Sequence, residues 1–180
     1  NKSKLRILGL ECNKLRQKAS ELVEVCRELP SLERLMLSNN FLQPNIGESL
    51  YKLLTESKSI RELRMNKNSH MGDDCTAQIT KGLLKAETLR VCHMSDCRVG
   101  NESALLMADV IRRPKTPLRD LDLSNNLIIM DDIEILANAY KDSAIECLNL
   151  RGNIVSAEEI NAFEHLLAPV CTMTRRKFMF

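Results

Sequence analysis

One spacing governs what this chain can fold into: the pattern Leu-x-x-Leu-x-Leu-x-x-Asn returns six times at near-constant intervals. Its copies are Leu5-Leu8-Leu10-Asn13, Leu32-Leu35-Leu37-Asn40, Ile60-Leu63-Met65-Asn68, Leu89-Cys92-Met94-Cys97, Leu118-Leu121-Leu123-Asn126 and Ile145-Leu148-Leu150-Asn153. The starts at 5, 32, 60, 89, 118 and 145 are separated by 27, 28, 29, 29 and 27 residues. Self-similarity at such a period is the mark of a solenoid, in which each unit buries its apolar side only against its neighbours. Within each copy, positions four and six are apolar and the residue between them is mostly not, which is strand periodicity. Position nine needs a buried side chain that can both donate to and accept from a turn of backbone, and Asn does both. Cys97 stands there once.

The remainder of each unit has helical spacing. Residues 17–28 place Ala19, Leu22, Val23 and Cys26 on one face. Leu50, Leu53 and Leu54 follow in the second unit, Ile79, Leu83 and Leu84 in the third, and Leu106, Val110 and Ile111 in the fourth. Ile133, Leu136, Ala137 and Tyr140 serve the fifth, and Ile160, Phe163 and Leu167 the sixth. Asp73 or Asp74, Asn101, Asp131 and Ser156 are the expected N-caps, with Ser156 and Glu159 at capping-box spacing. Strand followed by helix, repeated with one crossover hand, predicts an α/β right-handed solenoid with a parallel sheet. Strands pack about 4.7–4.9 Å apart and helices roughly 8–10 Å apart, so the stack must arc into a horseshoe, strands on the concave face and helices on the convex face. Aromatic residues are only 3% of the chain and Trp is absent, which suits many small aliphatic layers. Residues 1–170 are expected to form the repeat domain, and 171–180, which match no repeat, a C-terminal cap or tail.

The stretches LERLMLSNNFL, LRDLDLSNNLI and IECLNLRGNIV resemble the ribonuclease-inhibitor-like class of leucine-rich repeat proteins. NOD-like receptor sensor regions, the Ran GTPase-activating protein and the tropomodulin C-terminal domain share this repeat type. The resemblance covers residues 5–168. It implies a protein–protein interaction module: a scaffold, or the sensing or regulatory arm of a larger intracellular protein, binding through the concave face and the loops that ascend from it. Regulation of an enzyme, as by a GTPase-activating protein, and tropomodulin-like actin binding are the alternatives. Direct ribonuclease inhibition fits less well, because a cationic ribonuclease favours a strongly acidic face. Position eleven, apolar elsewhere, is His70 in the third unit, and Met71 is expected to take its place in the core.

Positions two, three, five, seven and eight should face solvent, and they carry eight basic and seven acidic residues. A mixed face suits a polar protein contact. The expected partner-binding residues are Arg34, Met36, Arg61, Glu62, Arg64, Lys67, Arg90, His93, Arg119, Asp120, Asp122 and Asn149. Arg61, Arg90 and Arg119 share position two in consecutive units and should line up along one edge. They are either interface anchors or a solvated row paired locally with Glu62 and Asp120.

The formal net charge of +2 is too small for long-range attraction to nucleic acid. No window is apolar enough to cross a membrane. Seven Cys at irregular spacing do not make a disulfide framework, which points to a reducing compartment, cytoplasmic first, with the nucleus also open. Cys92, His93 and Cys97 look like a metal cluster, but strand alternation sends the two thiols inward and the imidazole outward. No metal or cofactor is therefore expected. No nucleophile elbow, phosphate loop or paired acid–base group appears, so an enzyme is not expected either. The chain opens almost directly on a repeat and reads as part of a longer protein.

Overall fold

The structure is a computed structural model that describes residues 4–159 and 177–179. Strands β1 (Ile7–Gly9), β2 (Arg34–Met36), β3 (Glu62–Arg64), β4 (Val91–His93), β5 (Asp120–Asp122), β6 (Cys147–Asn149) and β7 (Lys177–Met179) form one sheet in chain order. Every neighbouring pair is parallel. Helices α1 (Ala19–Arg27), α2 (Ile46–Glu56), α3 (Gly72–Leu83), α4 (Asn101–Arg112) and α5 (Met130–Lys141) alternate with the strands, each packed on the next. This is the repeat solenoid that the spacing predicts. The helix expected around Ile160, Phe163 and Leu167 lies outside the described residues.

The register follows the motif. Leu8, Leu35, Leu63, Cys92, Leu121 and Leu148 are direct partners across the sheet. From Leu35 to Leu148 this row is sealed from solvent, and Leu37, Met65, Met94, Leu123 and Leu150 form a second buried row beside it. The helices close the other side of the core with Val23, Leu50, Ile79, Met107 and Leu136. The seventh strand was not visible as a repeat: it places Phe178 opposite Leu148, so part of the expected tail extends the sheet.

Asn at position nine stitches the turns together. Asn40, fully buried, accepts from the backbone N–H groups of Asn13 at 2.8 Å and Leu15 at 3.4 Å, one unit back. Asn68 accepts likewise from Asn40 and Leu42, at 2.9 and 3.1 Å. Asn126 serves Cys97 and Val99, and Asn153 serves Asn126 and Ile128. Each of these amides also donates to carbonyls of its own and the preceding strand end, as Asn68 does to Met65 and Leu37.

Cys97 accepts far more weakly than an amide oxygen would. The Asn68 N–H bonds to the Asp96 carbonyl at 3.0 Å, with the Cys97 sulfur as a second, weaker acceptor, and the Cys97 thiol donates to the Met65 carbonyl at 3.1 Å. By the pattern of the other units, an amide oxygen at position 97 would also accept from the N–H of His70. That residue is displaced to the surface, edge-on to Phe41 with ring centroids 5.8 Å apart, while Met71 fills the core and Gly72 takes φ +75°. The two departures from the repeat thus meet at one place: where the strong amide acceptor is replaced by a thiol, the loop that would have used it takes another path. Position eight is left-handed in all six units, from Cys12 to Gly152. Asn39, Asp96, Asn125 and Gly152 are residue types that tolerate this, whereas Cys12 and Lys67 are not.

The helix ends differ from expectation. Asp73 does not cap its own helix. Its carboxylate reaches forward to α4 and accepts from the N–H groups of Gly100 (2.8 Å), Glu102 (3.0 Å) and Ser103 (3.2 Å). A Cβ at position 100 would lie 2.8 Å from Asp73 Oδ2, which is why glycine fits there. In return, Arg113 at the end of α4 donates to the Ala86 carbonyl at 2.8 Å, just past the end of α3. Asn101 and Asp131 lie inside their helices rather than at the cap. The Ser156–Glu159 capping box forms as expected.

Candidate functional site

The exposed side of the sheet is three columns wide. The position-three column runs Ile7, Arg34, Glu62, Val91, Asp120, Cys147. The position-five column runs Gly9, Met36, Arg64, His93, Asp122, Asn149. Alternation along each three-residue strand puts these two columns on the face opposite the buried row. Position two forms the edge where chain enters the sheet. There each carbonyl accepts two N–H groups from the next unit: Glu33 from Arg61 and Glu62, Arg61 from Arg90 and Val91, Arg90 from Arg119 and Asp120. Arg61, Arg90 and Arg119 are therefore adjacent along one edge. All twelve expected partner-binding residues lie on this face, its edge or, for Lys67, the loop leaving it, and none is buried.

The ion pairs on this face differ from the local pairs that the solvated-row alternative supposes. Glu62, its side chain only 12% exposed, sits between Arg34 (3.4 Å) and Arg64, and it does not pair with Arg61. Asp120 approaches His93 Nε2 at 3.2 Å, in an orientation that does not complete a hydrogen bond. Arg119 turns back on its own chain, donating from Nη1 to the carbonyls of Thr116 and Leu118 at 2.7 Å each, with Glu146 at 3.8 Å. Arg6 forks onto Glu33 with bonds of 3.0 and 2.8 Å, which holds the Glu33 carboxyl below the usual carboxylate range. Among the described residues Arg61 and Arg90 carry no ion pair. The edge is thus part anchored and part free, and the free part is its centre.

Charge shifts along the arc. Arg34, Arg61, Arg64, Lys67 and Arg90 outnumber Glu33, Glu62 and Asp96 in the second to fourth units, while Asp120, Asp122 and Glu146 outnumber Arg119 and Arg151 in the fifth and sixth. Asp122 Oδ1 and Asn149 Oδ1 also accept from the backbone N–H two residues on, at 3.0 and 3.3 Å, which fixes these side chains at the strand ends. Sequence reasoning missed the row beside them. Ser124 Oγ donates to Ser95 Oγ at 2.9 Å, and Asn66 Oδ1 accepts from the Ser95 N–H at 3.0 Å, all at position seven. The missed signal was that this position stays small and polar in four successive units, from Ser38 to Ser124.

Cys92 and Cys97 point into the core and His93 out of it, so the three do not converge. No group of metal-binding side chains occurs among the described residues. Burial pushes the thiols of Cys75, Cys92 and Cys97 up to about 12. Cys12 is exposed and Cys147 half-buried. Among the described residues no helix is long and apolar enough to cross a membrane.

No family model matches the chain. Two curated relatives do. Ribonuclease inhibitor from Mus musculus is 32% identical over 154 residues, covering 68% of this chain and 33% of its own length. Ribonuclease inhibitor from Sus scrofa is 30% identical over 132 residues, covering 71% of this chain and 28% of its own length. The chain thus spans about a third of the length of the relatives it matches. Repeat spacing, sheet register, the Asn ladder and this similarity agree: the chain is a ribonuclease-inhibitor-like leucine-rich repeat protein.

Proposed function

We propose that the chain is a protein-interaction module, a scaffold or regulatory arm, that docks a partner across its concave face and ascending loops and catalyses nothing itself. Residues 1–170 act as the repeat domain, and residues 171–180 close or extend it. The supporting observation is the position-five column. Met36, Arg64, His93, Asp122 and Asn149 stand side by side at one register position, offering apolar, cationic, imidazole, anionic and amide groups in a fixed order. Such a sequence of chemistries on a rigid sheet selects a partner by complementarity. The contact residues are the twelve named above. The free thiols of the described residues fit an intracellular, reducing setting.

The test is a double charge reversal, Arg64→Glu with Asp122→Lys, against the convex-face control Lys81→Glu, with partners recovered by crosslinking. Loss of partners in the first and retention in the second is the expected result; the opposite pattern overturns the reading. Because both relatives are named as ribonuclease inhibitors, a ribonuclease is the first purified partner to assay. The basic units near the amino end would repel a cationic ribonuclease, so weak or no inhibition by this chain is expected.

A further inference from the structure

At the position-two edge, the described residues hold a cleft of strongly biased charge. It lies where chain enters β1, β2 and β3, has a volume of about 510 Å³, and includes Lys4, Arg6, Glu33, Lys58 and Arg61 in its lining. That size is within the range of clefts that hold small-molecule ligands, roughly 300–1,000 Å³, and so is large enough for one or two acidic side chains. Four cations face one carboxylate, and that carboxylate is already served by both prongs of the Arg6 fork. Lys58 reaches Glu87 of the next unit at 2.9 Å, and both side chains of that pair are mostly exposed. Lys4 and Arg61 have no ion pair among the described residues. Glu33 is also drawn by Arg61 and Arg34, so the positive potential at Arg61 is only partly offset. Arg90, one strand further along the same edge and likewise without an ion pair among the described residues, extends this potential beyond the cleft.

We propose that this cleft is a docking site for an acidic segment of a protein partner, with the Arg61 guanidinium receiving a carboxylate in the cleft and Arg90 a second one beyond it. The proposal rests on the protein-binding reading above and adds the chemistry and place of one contact. A guanidinium presents parallel N–H donors that match a carboxylate, while Lys4 and Lys58 supply point charges beside it. The occupant is a short acidic segment rather than a nucleic acid, because the favourable charge is local. Further along the face, Asp120, Asp122 and Glu146 outnumber Arg119 and Arg151, so attraction ends within a few residues of chain.

The probe is a fluorescein-labelled peptide with four Glu flanked by Gly-Ser, read by anisotropy on the whole chain, with the all-Gln peptide as its control. The Glu peptide should bind, and the Gln peptide should bind at least tenfold more weakly. Affinity should fall by about tenfold or more in the Lys58→Glu/Arg61→Glu variant, and by a smaller factor in Arg61→Lys, which keeps the charge and loses the fork. Raising salt from about 50 to 150 mM should weaken binding, as for any exposed charge contact. The substituted side chains are exposed, and circular dichroism verifies the fold. Met36→Ala and Asn149→Ala should leave peptide binding unchanged. If they alone abolish partner recovery, the general reading stands while the cleft is judged on the peptide alone. Equal binding of Glu and Gln peptides, full affinity in the double reversal, or tighter binding of a single-stranded oligonucleotide of equal charge overturns the proposal.

Discussion

Asn68 and Cys97 occupy the same place in neighbouring turns, yet they carry very different loads. Removing the Asn68 side chain strands two backbone N–H groups in a fully buried loop and deprives the Leu37 and Met65 carbonyls of a donor. Each unmet buried group costs about 1–3 kcal/mol, so Asn68→Ala should destabilise the chain by about 3–4 kcal/mol in urea unfolding. Cys97→Ala loses one thiol contact and a little packing. Its cost should be about 1–2 kcal/mol, since the surrounding loop is already arranged around a residue that accepts only weakly. Equal losses in the two variants would contradict the coupled-departure account. Thiol chemistry separates the cysteines in the same way. Cys75, Cys92 and Cys97, pushed up to about 12 by burial, remain protonated at about pH 8. They should stay silent to a disulfide-forming reagent until the chain unfolds, whereas Cys12 should react at once.

At the scale of elements, helices α3 and α4 finish each other. Asp73 supplies a carboxylate to three N–H groups at the start of α4, and Arg113 returns a donor to the Ala86 carbonyl just past the end of α3. Asp73→Ala should therefore cost about 2–3 kcal/mol and loosen α4, measurable as faster amide exchange at Gly100, Glu102 and Ser103. Loosening confined to α3 would show that the cap acts locally after all. The elements were legible in the sequence because each depends on local periodicity: Leu35, Leu63 and Leu121 declare strands, and Leu50 and Leu53 a helix. Cross-unit contacts were not legible in the same way. Asp73 is spaced like an ordinary N-cap, and only the distance from α3 to α4 redirects it. Glu62 sits next to Arg61 in sequence, but Arg34 is its partner across the sheet and Arg64 shares its face, so these two reach it instead. Phe178 takes the register position that Leu holds in most units, with no spaced Leu around it, and β7 went unseen for that reason.

For the molecule as a whole, stability is close to a sum over units and their junctions, and the face is assembled one rung at a time from the same register. Exchanging His93 for another residue alters one rung and leaves Arg64 and Asp122 where they are. The forward placement of the Asn ladder adds a directionality that ordinary sheets lack. The amide oxygen of one unit holds the turn of the unit before it: Asn126 holds Cys97 and Val99, and Asn153 holds Asn126 and Ile128. A lesion in the ladder should thus travel upstream, against the order of synthesis. Asn126→Ala should expose the amides of Cys97 and Val99 while Ile128 keeps its protection, like a zip whose teeth are each locked by the one that follows.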